Sequence, residues 1–280
     1  MTLMENEATQ PEGEAQIGPD EADESPAHMT QERTIELLLE RSKRANRTVP
    51  IRRAFAQTGK APNTEPGALR SLVANKQERA LDLYLLVAAV TSAGDYSVTD
   101  WSSTWARTVG VFDEKTGASA VSRAWKALKD LNLISTARGT GRRTTVTKLL
   151  EDGLESKPPY EPPVMGEPYF QLPFEYWDRG LHTTLSLPGK AMYLIALAQR
   201  KPKFRLTHAK ISEWYGFAEQ TVANGIKDLI EHGVLAQVGV ESYETLAVRS
   251  GVAFRPVYGL KEPFNHRGLP TPTTEDSSAQ

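Results

Sequence analysis

Three amphipathic helical runs followed by a pair of strand-like segments occur twice along the chain, with a proline-dense stretch between the two occurrences. These observations predict an α+β, mostly helical protein built from one module present in two copies. The composition agrees with this, because 39% hydrophobic content over 280 residues is enough for one or two cores of ordinary size.

Several kinds of chemistry drop out at once. The chain has no cysteine, so it holds no disulfide, thiolate nucleophile, iron–sulfur cluster or cysteine-ligated zinc. No run approaches the ~18 apolar residues of a bilayer span, and the acidic start lacks the basic and apolar parts of a secretory signal. The expectation is a cytoplasmic protein without a membrane partner. His28, His182, His208, His232 and His266 are scattered without the paired spacing of a metal site. There is no Gly-x-Ser-x-Gly elbow, and the glycine-rich 138–144 stretch lacks the Lys-Ser/Thr pair of a phosphate loop. A protein that is not an enzyme and carries no cofactor or metal is expected.

Residues 1–30 hold eight acids and no Lys or Arg, with little to bury, and are expected to be a disordered tail. Thr30 is a plausible cap for a helix whose Ile35, Leu38 and Leu39 share a face. That helix leads into seven bases between Arg41 and Lys60 without an acid, so 31–67 reads as a basic helical arm and linker. The first module spans 68–153. Leu81 to Val90 form a buried helix, Tyr96 to Val98 an extended piece, and Thr99 or Asp100 caps a helix bearing Trp101, Trp105 and Val109. A third helix follows Gly117, with Val121, Ala124, Trp125, Leu128 and Leu131 at one-face spacing. Two strands, Leu133 to Ala137 and Thr144 to Leu149, are joined by an Arg- and Gly-rich tip. Trp101, Trp105, Trp125 and Trp214 all read as core.

Six prolines in 154–173 forbid helix and suggest a semi-rigid linker. The second module, 174–264, repeats the order: a helix from Ser186 to Leu197, an extended Phe204 to Leu206, a helix capped by Thr207 with Ile211 and Trp214, a helix with Val222, Ile226 and Leu229, then strands. Residues 265–280 read as a second disordered tail. Overlaying the copies pairs Tyr84 with Tyr193 and Trp105 with Trp214. An eight-residue shortening between the second and third helices then pairs Leu128 with Leu229 and Leu133 with Val234.

The formal net charge of -2 is uneven: ten acids sit in the two ends, leaving 33 bases against 25 acids over 31–270, a surplus of +8. Such a surplus suits a polyanionic partner, since Lys and Arg gain affinity by releasing counterions from phosphates. The segments ASAVSRAWKALKDLNLI at 118–134 and RRTTVTKLLEDG at 142–153 resemble the third helix and wing of winged helix-turn-helix proteins, in the manner of the MarR superfamily. Two such modules in tandem also resemble, more weakly, plasmid replication initiators.

The resemblance implies two winged helix-turn-helix domains that bind double-stranded DNA, with the third helix in the major groove and the wing on phosphates. The residues expected to carry this are Ser119, Ser122, Arg123 and Lys126 on the helix, with Arg123 reading bases. Arg138, Thr140, Arg142, Arg143 and Lys148 belong to the wing, with Thr144 beside them. In the second copy Gln220, Asn224 and Lys227 are the counterparts, although Glu241 and Glu244 in its wing would repel phosphate. That copy reads equally as a DNA or a protein contact, and a second copy of the chain is a further candidate partner. A sequence-specific transcriptional regulator, a replication initiator and a non-catalytic interaction scaffold are the functions these observations leave open.

Overall fold

The structure, a computed structural model, describes residues 29–60 and 63–265, the side chains of Lys60 and Arg142 excepted. The two expected tails, 1–30 and 265–280, lie outside the described residues but for Met29, Thr30 and Asn265. Among the described residues the chain is α+β, with ten α-helices and four small antiparallel sheets. No helix among them is long and apolar enough to cross a membrane.

The first repeat runs α3 (Glu78–Val90), β4 (Ser97–Asp100), α4 (Ser102–Thr108), α5 (Gly117–Asp130), β5 (Ile134–Arg138) and β6 (Thr144–Lys148). Its sheet has the order β4-β6-β5, with Val146 paired to both Val98 and Thr136. The second repeat runs α8 (Leu187–Leu197), α9 (His208–Tyr215), α10 (Glu219–Glu231), β8 (Leu235–Glu244) and β9 (Val252–Leu260). A single antiparallel bridge, Phe204 to Tyr258, stands where β4 stands in the first repeat.

The third helices of both repeats end in the same way. Asn132 and Gly233, 101 positions apart, take left-handed φ values of 54° and 69°. Just beyond them, Leu133 donates its N–H to Leu128 and Val234 to Leu229, closing each helix as it turns into its hairpin. Gly and Asn are the residues that tolerate this conformation most cheaply.

The overlay needs a correction in its middle. Tyr84 and Tyr193 do correspond, both wholly buried in the first helices. Val98 and Phe204, the matching bridge positions, are 106 apart, which pairs the buried Trp105 with the buried Ile211. Trp214 is instead 36% exposed. The second copy has therefore lost three residues before its second helix and five after it, rather than eight at one place.

The parts expected as arm and linker are built into the fold. α1 (Gln31–Arg41) buries Ile35, Leu38 and Leu39 against α3 and α4. β1 (Thr48–Arg52) pairs with β7 (Tyr169–Pro173), setting Val49 opposite Leu172 and Ile51 opposite Phe170, all buried. A short 3-10 turn, Arg53–Phe55, leads to the hairpin of β2 (Gln57–Lys60) and β3 (Asn63–Pro66) and then α2 (Ala68–Ala74). After β7, the one-turn helices α6 (Glu175–Asp178) and α7 (Leu181–Thr184) lead into α8. In the proline-rich stretch Tyr160 is buried beneath Lys148, whose Nζ lies 3.7 Å from the ring centroid. The linker expectation failed because alternate apolar residues, Phe170 and Leu172 on one side and Val49 and Ile51 on the other, pair across a long loop.

One continuous apolar core results, from Ile35 to Phe264. The seam between the repeats is bridged from α8 to α3 by Lys190, a residue only 1% exposed, whose Nζ lies 2.8 Å from Asp82 and 2.8 Å from Glu78. Farther out, Arg70 donates to the carbonyl of Gly216 at 3.3 Å and Gln57 to that of Trp214 at 3.3 Å.

Two buried groups beside this seam respond to acid in opposite senses. Burial raises the Asp82 carboxyl to about 6, with the Lys190 ammonium opposing it. Burial lowers the His182 imidazole to about 4, and the charge on Lys190 adds to the effect. Between those ordinary and shifted values the folded state binds extra protons at Asp82 and fewer at His182. Acidification from pH 6 to 4 therefore stabilises the fold through Asp82 and destabilises it through His182. Asp82→Asn is expected to make stability fall more steeply over that range, and His182→Phe to make it fall less. Urea unfolding at stepped pH measures both slopes, and slopes unchanged in both variants refute the assignment.

Candidate nucleic-acid interface

α5 is strongly two-faced. Ala120, Val121, Ala124, Trp125 and Leu128 are buried, while Ser119, Ser122, Arg123, Lys126 and Lys129 are exposed. Trp125 anchors the helix by meeting Trp105 edge to face, with ring centroids 5.3 Å apart. On the open face the serines are occupied locally: Ser119 Oγ donates to the Thr116 carbonyl at 2.8 Å and Ser122 Oγ to that of Ala118 at 2.9 Å. Lys126 pairs with Asp130 one turn on, at 2.6 Å. Arg123 has no hydrogen-bond or ion-pair partner among the described residues. With Lys126 it lines an open groove of about 590 Å³ that Lys76, in the turn before α3, and Arg79, in its first turn, border on the other side.

The hairpin tip owes its shape to two glycines. Gly141 has φ 67°, a left-handed conformation that costs an L side chain roughly 1 kcal/mol. A Cβ on Gly139 would lie 2.9 Å from Thr99 Cγ2, so only glycine lets the tip close over β4. Below it the Thr99 and Thr145 hydroxyls share a hydrogen bond of 2.7 Å. Arg138, Thr140 and Arg143 are exposed, and the side chain of Arg142 lies outside what is described.

Arg143 places its guanidinium 4.9 Å from the Trp101 ring centroid. Trp101 was expected in the core and is 44% exposed. It sits at the N-cap of α4, one position before helical spacing applies, so its side chain turns outward. Asp100 beside it takes hydrogen bonds from the Trp101 N–H and the Thr104 hydroxyl, and a 2.8 Å ion pair from Arg41. The sequence reading missed Trp101 because a tryptophan four residues from Trp105 looked like the same helix face.

Lys148 does not belong to this surface. It points inward from β6, 1% exposed, with Nζ 2.9 Å from the fully buried Glu151. Burial lowers its ammonium to about 8, held up from lower still by Glu151. The alternation along β6 explains the error, because Val146 and Lys148 share the inward side. Arg52 reaches the same carboxylate at 3.1 Å and so locks β1 to the loop after β6.

Much of the basic arm is also spent internally. Arg44 donates to the carbonyls of Ala88, Ala89 and Thr91 at the end of α3, and Arg47 to Asp178 at 2.7 Å. With Arg41 and Arg52 also paired, this segment is not a free arm for phosphates.

In the second repeat, α10 exposes Gln220, Asn224 and Lys227. Gln220 donates to Asn224 Oδ1 at 2.8 Å, and Lys227 stands 3.6 Å from Glu231. Glu241, expected to repel phosphate, is held by Arg205 and lies 3.5 Å from Arg255, so its charge is compensated.

Removing the Lys148 ammonium would leave the buried Glu151 with one of its two cations, Arg52, and one carboxylate oxygen without its donor. Lys148→Ala is expected to lower unfolding free energy by about 1–3 kcal/mol, whereas Arg143→Ala changes it by less than about 0.5 kcal/mol as an exposed substitution. Denaturant titrations of both variants test this, and a silent Lys148→Ala would show that the buried pair does not hold the loop.

Comparison with known protein families, curated proteins and solved structures gave no match to this chain.

Proposed function

We propose that the protein binds double-stranded DNA through α5 and the β5–β6 hairpin, as two winged helix-turn-helix modules, and acts as a sequence-specific regulator of transcription. The observation that carries this is Arg123. It is exposed and, among the described residues, unpartnered on the polar face of a helix seated firmly by its other face, and that helix runs straight into a hairpin ending in Arg138 and Arg143.

An arginine free of local partners can fork onto guanine O6 and N7, which is worth ~1–3 kcal/mol of discrimination. Ser119 and Ser122 keep acceptor lone pairs for waters or base amines, and Lys126 and Lys129 supply charge beside the groove. Arg138, Thr140, Arg142 and Arg143 would meet phosphates, with Trp101 holding the Arg143 plane. In the second module Gln220, Asn224 and Lys227 would make the corresponding contacts. The element order, with the central strand in the same place in both repeats, is what a winged module requires.

A second reading, initiation of replication at an origin of direct repeats, draws on the seam between the repeats. A shared core fixes the spacing of α5 and α10, which suits two sites in tandem on one duplex. Selection of bound duplexes from a random pool separates the readings: promoter half-sites favour regulation, and iterated repeats favour initiation.

Affinity for the selected duplex should fall on the order of 10³-fold between 50 and 200 mM salt if six or so phosphates are neutralised. Arg138→Ala with Arg143→Ala should weaken all sequences alike and reduce the salt slope by about 2, while Arg123→Ala should flatten the preference between sequences. Electrophoretic shift and competition with mismatched duplexes read both effects. Full affinity in the double variant would remove the hairpin from the interface, and no salt-dependent shift at all would leave the scaffold reading standing.

A further inference from the structure

A second concentration of positive charge lies away from α5, in a cleft of about 500 Å³ on the second repeat. Its walls are the end of α8, the extended stretch to Thr207, one side of α9, and the inner side of the β8–β9 hairpin. Arg53 completes it from the turn after β1, in the segment that precedes the first repeat.

Its charge is not balanced from within. Arg205 and Arg255 converge on the single carboxylate, Glu241. Arg53, Arg200, Lys201, Lys203 and Lys210 have no carboxylate partner among the described residues. Arg53 donates to Gln57 Oε1 at 2.6 Å, yet its Nε is closed off from water and makes no hydrogen bond. Like charges gathered in one concavity raise its positive potential, and a bound anion relieves their mutual repulsion. The volume is that of a small-molecule site.

One wall is aromatic. Trp214, 36% exposed, lies along the cleft with Lys210 Nζ 5.7 Å from its ring centroid. A flat π-face beside a basic pocket is the pairing that receives a heterocyclic base next to its phosphates. Arg forks match phosphate oxygens, and flexible lysines supply charge around them.

We propose that this cleft binds a nucleoside polyphosphate, with the phosphates among Arg53, Lys201, Lys203 and Lys210 and the base against Trp214. The site is separate from the α5 surface and does not rest on the DNA-binding reading.

Calorimetric titration of the full chain in 0.15 M salt, with inorganic tripolyphosphate and with ATP as probes, tests this. Both should bind, ATP the more tightly by about tenfold, the worth of one stacked base. Lys201→Ala, Lys203→Ala and Lys210→Ala together, all exposed and so expected to fold, should weaken both probes on the order of 100-fold. Trp214→Leu should erase the advantage of ATP and leave tripolyphosphate unchanged. Arg138→Ala with Arg143→Ala should alter neither, which keeps failure of this site distinct from failure of the α5 interface. No binding of tripolyphosphate at millimolar concentration overturns the proposal. Equal binding of ATP and tripolyphosphate by the unaltered protein overturns the base position. Loss of duplex affinity in the triple variant, with neither probe binding the unaltered protein, assigns the cleft to the duplex backbone instead.

Discussion

A single ammonium group kept from water, that of Lys190, decides how the two halves of this protein sit against each other. It rises from α8 into a pocket where its compensating charges among the described residues, Asp82 and Glu78, belong to α3 of the other repeat. A lone buried charge is worth several kcal/mol of penalty, so neither helix can drift without exposing or stranding it. Around this point Tyr176 stacks near Tyr193 with centroids 6.0 Å apart, and Phe55 stacks on Tyr84 at 4.8 Å. The direction is set by the charges and the stability by the apolar surface beside them, so the repeats behave as one body with one core.

The same logic of desolvation sorts the basic residues. A cation that can reach a buried carboxylate or a helix's terminal carbonyls is drawn inward, as Lys148 is to Glu151 and Arg44 to the end of α3. Those without such a partner remain at the surface: Arg123, Arg138 and Arg143 on the first repeat, and the cleft residues on the second. The charge surplus along 31–270 is therefore not a uniform coat. It is partly consumed in the architecture, and part of what is left gathers on two separate surfaces.

The β8–β9 hairpin shows how side-chain alternation divides roles within one element. Glu241 and Arg255 pair across the strands, and Tyr243 receives the Arg255 guanidinium on its ring. The neighbouring positions Val240 and Phe254 face outward, the latter 71% exposed. A bulge between Gln237 and Gly239 separates this outer ribbon from the buried Leu235 and Tyr258 that fasten it to the core.

Periodicity and capping were enough to read the helices and hairpins of both repeats, because burial of one face is a local demand written at fixed spacing. The same rules identified Thr30 as a cap and Ser186 as a helix start, and both side chains accept an N–H of their helix's first turn. The polar face of α5 was legible for the same reason. Composition excluded disulfides and cysteine-bound metals outright. What pairs across long stretches of chain was decided only by tertiary structure: β1 with β7, Lys190 with Asp82, Lys148 with Glu151, and Arg53 at the edge of a cleft built by the second repeat. A charged or aromatic side chain carries no mark in the sequence of whether its partner will be water or a distant residue. Trp101 and Trp214 turned outward and Lys148 turned inward because the complete fold supplied, or withheld, something to meet them.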